Sequence, residues 1–236
     1  DGFSKRWIDF CKQENIYFKI VDCFDSNIIE KLKDVDILMW HHNHVNFKDK
    51  IAAQSILFAL EHSGVKVFPD FKTSWHFDDK IAQKYLLEAI KAPLVPSYVF
   101  YEKEDALAWI NSVEFPKVFK LKGGAGSENV SLIRTRKQAI KIANKAFGRG
   151  FSQFNSIRYL KERIRRVKNG QDSYIGILKG LARLFITTEY AKLQGRERGY
   201  VYFQEFIPNN DSDIRVIVVG NKAFAVKRMI RDNDFR

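Results

Sequence analysis

The chain has 236 residues, 45% of them hydrophobic, and a formal charge of +12. That length accommodates one large or two modest domains with buried cores, no apolar run approaches the ~18 residues of a membrane-spanning helix, and the two cysteines, Cys11 and Cys23, lack CxxC or Cys/His spacing. They are read as reduced packing residues, which favours a cytoplasmic setting, while the charge calls for anionic partners or for a solvated basic surface.

The sequence opens on Asp1 rather than Met, and the helix-like FSKRWIDFCKQ begins almost at once, so the chain is read as a fragment or processed form. From there to about Phe71 short apolar runs, IYFKIVD (16–22), DILMW (36–40) and VKVFP (65–69), alternate with SNIIEKLKD and with DKIAAQSILFALEHSG. The last is apolar at helical spacing and closed by Gly64, and the alternation predicts a βαβ series with a small parallel sheet.

HFDDKIAQKYLLEAI (76–90) predicts a helix with Asp78 as N-cap and Ile81, Tyr85, Leu86 and Ala89 on one face. KAPLVPSYVF ends it and begins a strand, EDALAWINSV is a further helix, and KVFKLKGGAGSENVSLI (117–133) is two β-like runs joined by a glycine-rich loop. Helices are then expected over 135–147, 157–168 and 173–184, with a break at 148–156, before three strands, YVYFQEFIP (200–208), DIRVIVVG (213–220) and KAFAVKRMI (222–230). The class is therefore α/β first and α+β second.

The glycine loop is neither of the two common phosphate motifs. GxxxxGK[ST] fails in spacing, and GxGxxG fails because Asn129 stands at the third glycine and a strand follows where a helix should. A glycine loop between antiparallel strands can still fold over phosphates as a lid. Strand alternation puts Val118, Lys120 and Lys122 on one face, with Phe119 and Leu121 on the other.

The last two strands carry a hairpin signal, Gly220 and Asn221. Arg228 faces Asp213 if the loop is Gly220–Asn221, or Arg215 if it is Asn221–Lys222. In both registers Asp213, Arg215 and Arg228 share a face, and Ile214, Val216 and Val218 on the opposite face are expected to be core.

The order of a helix opening with DDK, VFKLKGG, QEFIP and DIRVIVVGNKAFAVKR resembles the ATP-grasp superfamily, in particular its RimK-type carboxylate–amine ligases, over about 75–236. The resemblance implies an ATP-grasp fold preceded by a small Rossmann-like βαβ domain over 1–73. The ATP-grasp domain would take 74–236, with a helical insertion near 148–199 and its C-terminal part missing. It implies that Lys80 and Lys120 contact ATP phosphates, that Gly123, Gly124, Gly126 and Ser127 form the lid, and that Glu205 and Ile207 pair with adenine through their backbone. Gln204 and Phe206 belong to the same linker, Asp213 to the ribose and phosphate side, and Arg215 and Arg228 to the transferred phosphate, while Lys122 joins the nucleotide-binding set through the face it shares with Lys120 beneath the loop. The activity implied is ATP-dependent activation of a small carboxylate as an acyl phosphate, followed by attack of an amine-bearing acceptor.

Magnesium would neutralise the phosphates, and the family's metal ligands are expected beyond Arg236. The basic run IRYLKERIRRVK (157–168) is read as a solvated surface helix or as a docking element for an acidic polymeric acceptor. His41, His42 and His44 in WHHNH are left without an assigned role, as is the oligomeric state. The alternatives are a non-catalytic nucleotide-binding module and a nucleic-acid-binding protein, the latter lacking any recognisable nucleic-acid motif.

Overall fold

The computed structural model describes residues 2–43, 46–123, 129–152 and 195–230, and between 153 and 194 residues 160, 163–165, 167, 173, 175, 177 and 181. The chain divides into two compact units, Asp1–Gln83 with Phe154–Gly195, and Lys84–Gln153 with Arg196–Arg236. Among the described residues no helix is long and apolar enough to cross a membrane.

The first unit holds α1 (Phe3–Gln13), α2 (Ile28–Lys31), β1 (Ile37–Met39), α3 (Phe47–His62), β2 (Lys66–Phe68) and α4 (Phe71–Ser74). β1 and β2 are parallel, with Leu38 opposite Val67, and α3 makes the crossover between them, so the expected βαβ unit is present. Its core is Ile28, Leu32, Leu38, Ala53, Leu57 and Leu60. The crossover helix ends where expected, with Gly64 at φ +94°, a left-handed conformation that glycine adopts without a Cβ clash.

IYFKIVD forms no strand. Its residues join no ladder, and Tyr17 and Ile20 are 88% and 75% exposed. An apolar alternating run becomes a strand only when a neighbouring strand takes up its N–H and C=O groups, and here β1 pairs with β2 instead. Cys23, just beyond, packs against the core and its thiol is pushed up to about 11, by burial first and then by Asp22 and Asp49. Both cysteines are free thiols.

The helix predicted over 76–90 is α5 (Lys80–Ala89), which carries the chain from the first unit into the second. Its cap is Asp79, not Asp78. The Asp79 carboxylate accepts from the N–H groups of Ile81 and Ala82, each at 3.0 Å, while Asp78 sits at φ +54° in the turn before it. The predicted apolar face is also corrected: Tyr85 is 44% exposed, and the buried residue of α5 is Lys84, at 8%. Its ammonium lies 2.6 Å from the Glu88 carboxylate and 4.6 Å from the Tyr85 ring centre, which satisfies the charge where it is buried.

The second unit continues with β3 (Ser97–Phe100), α6 (Lys103–Ser112), β4 (Lys117–Lys120), β5 (Val130–Ile133), α7 (Arg136–Phe147), β6 (Phe151–Ser152), β7 (Arg196–Glu197), β8 (Val201–Glu205), β9 (Ser212–Val219) and β10 (Lys222–Met229). β3, β8, β4 and β5 lie in that order in one antiparallel sheet. Facing partners Phe119 and Phe203, with Leu121, Ile133 and Val201, cover one side, against Ala106 and Ile110 of α6 and Ala139, Ala143 and Ala146 of α7. The three alanines of α7 are fully buried and let that helix approach the strands closely. Thr135 caps α7, accepting from the Gln138 N–H, while the Gln138 side chain accepts from the Arg134 N–H.

The short pair β6–β7 was not anticipated, because its strands lie 44 positions apart in register, Ser152 opposite Arg196. Gly150 makes the approach feasible: a Cβ there would stand 2.6 Å from the Glu197 carbonyl oxygen. Most of residues 157–168 and 173–184 lie outside the described residues; Leu160, Arg163, Ile164, Arg165, Val167, Ile175, Ile177 and Leu181 are helical.

Phe203 is fully buried between α6, α7 and the sheet. Phe203→Ala is expected to destabilise the second unit by about 3–5 kcal/mol, read from the unfolding transition in denaturant.

Candidate functional site

The register of the sheet decides which side chains face away from the core. Lys120 lies opposite Tyr202, Val118 opposite Gln204, and Gln204 opposite Ser97. Directly opposed residues share a face, so Ser97, Val99, Val118, Lys120, Tyr202 and Gln204 form the second face of the sheet. The expectation for Val118 and Lys120 holds, as does the inward direction of Phe119 and Leu121, at 4% and 3% exposure.

On this face a hydrogen-bonded chain runs across three strands. The Lys120 ammonium donates to Gln204 Oε1 at 2.5 Å, Gln204 Nε2 donates to Ser97 Oγ at 2.8 Å, and the Ser97 hydroxyl donates to the Val95 carbonyl at 2.8 Å. The direction of the amide follows from chemistry, since an ammonium can only donate and must meet the carbonyl end. Tyr202, beside the chain and 3% exposed, has its phenol pushed above the usual range by burial, opposed by a hydrogen bond with Ser97 and reinforced by the Glu88 carboxylate. It stays protonated at neutral pH.

Lys117 and Glu205 face each other on the core side, at its edge, with Nζ 2.7 Å from the carboxylate. Lys117 is only 8% exposed, so the pair leaves neither charge buried alone. The Glu205 side chain is therefore engaged, and its N–H donates to the Pro96 carbonyl at 2.9 Å. Phe206 and Ile207 follow beyond the strand end, Ile207 exposed, before Pro208.

The glycine loop leaves β4 from a fixed point. The Lys122 N–H donates to the Tyr200 hydroxyl at 2.6 Å and to the Glu197 carboxylate at 3.1 Å, and Tyr200 in turn donates to Glu197. At the other end the Leu121 N–H meets the Asn129 carbonyl at 3.0 Å, so the loop closes an antiparallel pair as expected. Gly123 is described; Gly124, Gly126 and Ser127 lie outside the described residues. Lys80 belongs to the first unit, where it opens α5.

β9 and β10 form a hairpin whose two-residue loop is Gly220–Asn221, so Arg228 faces Asp213. Arg215 lies opposite Val226, on the same face. Arg228 Nε donates to one Asp213 oxygen at 2.6 Å and Nη2 to the other, a two-pronged pair. This bonding holds the Asp213 carboxyl below the usual range and raises Arg228 further. The other face departs from expectation: Ile214, Val216 and Val218 are 71%, 61% and 68% exposed, not core. Alternation correctly separates the faces of a hairpin, but burial requires a second layer, and no described element packs broadly on this one.

The histidine cluster is engaged in ring packing, His41 with Phe3 at 4.6 Å and His42 with Trp40 at 6.1 Å, while His44 lies outside the described residues. Among the described residues no group of three or more His, Cys, Asp or Glu side chains could hold a metal ion. Sequence reasoning missed Ser97, Tyr202, Lys84 and Lys117. The alternation of YVYFQE contained the signal for Tyr202, whereas Ser97 and Lys117 are revealed only by strand register.

Neither a scan against protein families nor a search of curated proteins finds a match. Among solved structures the chain is similar to a RimK domain ATP-grasp protein from Sphaerobacter thermophilus, with 20% identity, 75% of this chain and 51% of that chain covered, and a TM-score of 0.43. It is similar to phosphoribosylamine–glycine ligase from Thermotoga maritima, with 17% identity, 72% and 33% covered, and a TM-score of 0.41. It is also similar to D-alanine–D-alanine ligase from Bacillus anthracis complexed with ATP, with 12% identity, 92% and 62% covered, and a TM-score of 0.42. The chain thus spans about half the length of the first of these and about a third of the second.

Because Asp213 titrates lower in the folded chain than in the unfolded one, the pair stabilises the fold above the ordinary carboxylate range, near pH ~3.9, and that contribution is lost as pH falls through the lowered value. Carboxyl-detected NMR should find Asp213 titrating below that range, and Arg228→Gln should return it upward.

Proposed function

We propose that the protein is an ATP-dependent ligase of the ATP-grasp type, joining a carboxylate to an amine-bearing acceptor. The observation that carries the reading is the hydrogen bond from Lys120 to Gln204, 84 positions apart. It joins VFKLKGG, with its glycine loop, to QEFIP, the two segments on which the resemblance to that superfamily rests, as neighbouring strands with their polar side chains on one face.

In this reading ATP supplies the phosphoryl group that makes the carboxylate's hydroxide equivalent a leaving group. The carboxylate becomes an acyl phosphate with loss of ADP, and the amine then displaces phosphate. Lys120, Lys122 and Lys80 hold phosphate oxygens by charge-assisted hydrogen bonds. Gly123, Gly124, Gly126 and Ser127 close over them with backbone N–H groups. The backbone of Glu205 and Ile207 meets the adenine edge, with Gln204 and Phe206 beside it and Asp213 toward the ribose. Two features suit Glu205 and Ile207 to that role: the Glu205 carboxylate is already taken by Lys117, and Ile207 is exposed where the strand has ended.

Arg215 and Arg228 stabilise charge that develops on the transferring phosphoryl group. Arg228 spends two of its five N–H donors on Asp213, which fixes the guanidinium plane and leaves donors for an anion. Magnesium belongs to this chemistry, but the described residues gather no ligand set for it. The reaction is cytoplasmic, with a small carboxylate and an amine-bearing acceptor; the basic run 157–168 suits an acceptor that is an acidic polymer.

Lys120→Ala should weaken ATP binding by about 1–3 kcal/mol, the scale of a hydrogen bond to a charged group, measured by calorimetry; unchanged affinity would remove Lys120 from the site. Arg228→Lys should lower kcat by about 10²-fold, the scale of one lost stabilising donor, with a smaller change in ATP affinity. Steady-state kinetics that show parental kcat would reject that role.

A further inference from the structure

We infer that Gln204 and Ser97 are positioning residues, which hold the Lys120 ammonium in place for an anion through a neutral acceptor. The inference rests on the nucleotide reading of Lys120 and deepens it, because it separates the group that meets phosphate from the groups that aim it.

A lysine side chain has four freely rotating bonds and loses rotamer entropy when fixed. A binding lysine that is already restrained spares the ligand that cost. Here the restraint is continuous. Lys120 donates to Gln204 Oε1, Gln204 Nε2 to Ser97 Oγ at 2.8 Å, and Ser97 Oγ to the Val95 carbonyl at 2.8 Å. Each member sets the next. The Val95 carbonyl accepts the only proton that the Ser97 hydroxyl can donate, so Oγ turns its lone pairs to Gln204. Accepting from Nε2 then fixes which end of the amide faces Lys120.

Burial makes this order strict. Ser97 is 7% exposed, and its neighbours on the face, Val118 and Tyr202, are 8% and 3% exposed. A flipped amide would point its NH₂ group at an ammonium and leave the Lys120–Gln204 hydrogen bond unmade. The chemical type of the acceptor matters as much as its position. A glutamate at 204 would reach the same ammonium but bring a full negative charge beside it, opposing a phosphate. An amide gives the restraint and adds no charge.

The test compares ATP affinity and its dependence on salt by calorimetry in Lys120→Ala, Gln204→Glu, Ser97→Ala and Ser97→Thr, each checked for native circular dichroism. Gln204→Glu should weaken ATP binding and flatten the fall of affinity with salt, since one effective positive charge is cancelled. Ser97→Ala should weaken binding by about two- to tenfold, the scale of one hydrogen bond, with the salt dependence unchanged. Ser97→Thr, which retains the hydroxyl, should restore it. Parental affinity and salt dependence in both Gln204→Glu and Ser97→Ala, with Lys120→Ala weakened, would overturn the positioning role alone. Parental affinity in Lys120→Ala would overturn the nucleotide reading and this inference with it.

Discussion

Packing of one face of the four-stranded sheet against α6 and α7 is the constraint on which the candidate site depends. Phe119, Leu121, Val201, Phe203 and Ile133 must meet the alanine faces of α6 and α7, and all are at most 4% exposed. Because side chains alternate with a period of two, that requirement also sends Lys120, Tyr202, Gln204 and Ser97 to the opposite side. A slip of one residue would drive the Lys120 ammonium into the aromatic core and put Phe119 on the polar face. The packing that stabilises the sheet is therefore the same packing that aims the polar groups.

The sheet treats its two strand-end lysines differently for this reason. Lys117, three residues before Lys120, falls on the core side and is neutralised by Glu205 across the ladder. Lys120 falls on the other side and meets an amide that contributes no charge. A cation paired at a core edge serves stability, whereas the Gln204 amide restrains Lys120 without adding charge of its own. The hairpin uses a third arrangement, in which Arg228 is oriented by Asp213 in the open, with both side chains about half exposed. At that exposure water screens the pair, so its value lies in orientation more than in stability.

Much of this was legible from the amino acids in order. The βαβ unit, α5, α6, α7, the strand pair around the glycine loop and the final hairpin all appear in the expected segments. Two near misses share a cause. At Asp78–Asp79 adjacent carboxylates compete for one cap, and the backbone turn awards it to Asp79, whose side chain reaches the N–H groups of Ile81 and Ala82. Along α5, periodicity selected the apolar residues but could not foresee that Lys84 would be the one enclosed, because its ion pair with Glu88 and the Tyr85 ring satisfy it locally. IYFKIVD has the alternation of a strand without a partner to complete it.

What the sequence by itself determined is periodicity and chemistry: which runs are apolar on one side, where glycines permit a loop or a helix end, and which residues carry charge. Those properties are local, and they sufficed to place Lys120 opposite in direction to Phe119 and to group Asp213, Arg215 and Arg228. Tertiary structure alone decided the partners. Gln204 reaches Lys120, Ser97 reaches Gln204, and Glu205 reaches Lys117 only because β8 lies between β3 and β4, an order no stretch of sequence contains. It also decided burial, since Ile214, Val216 and Val218 have the pattern of a core face but remain exposed where no second layer is packed broadly against them. Register and layering are non-local, set by how the whole chain excludes water, and so they are absent from any single segment.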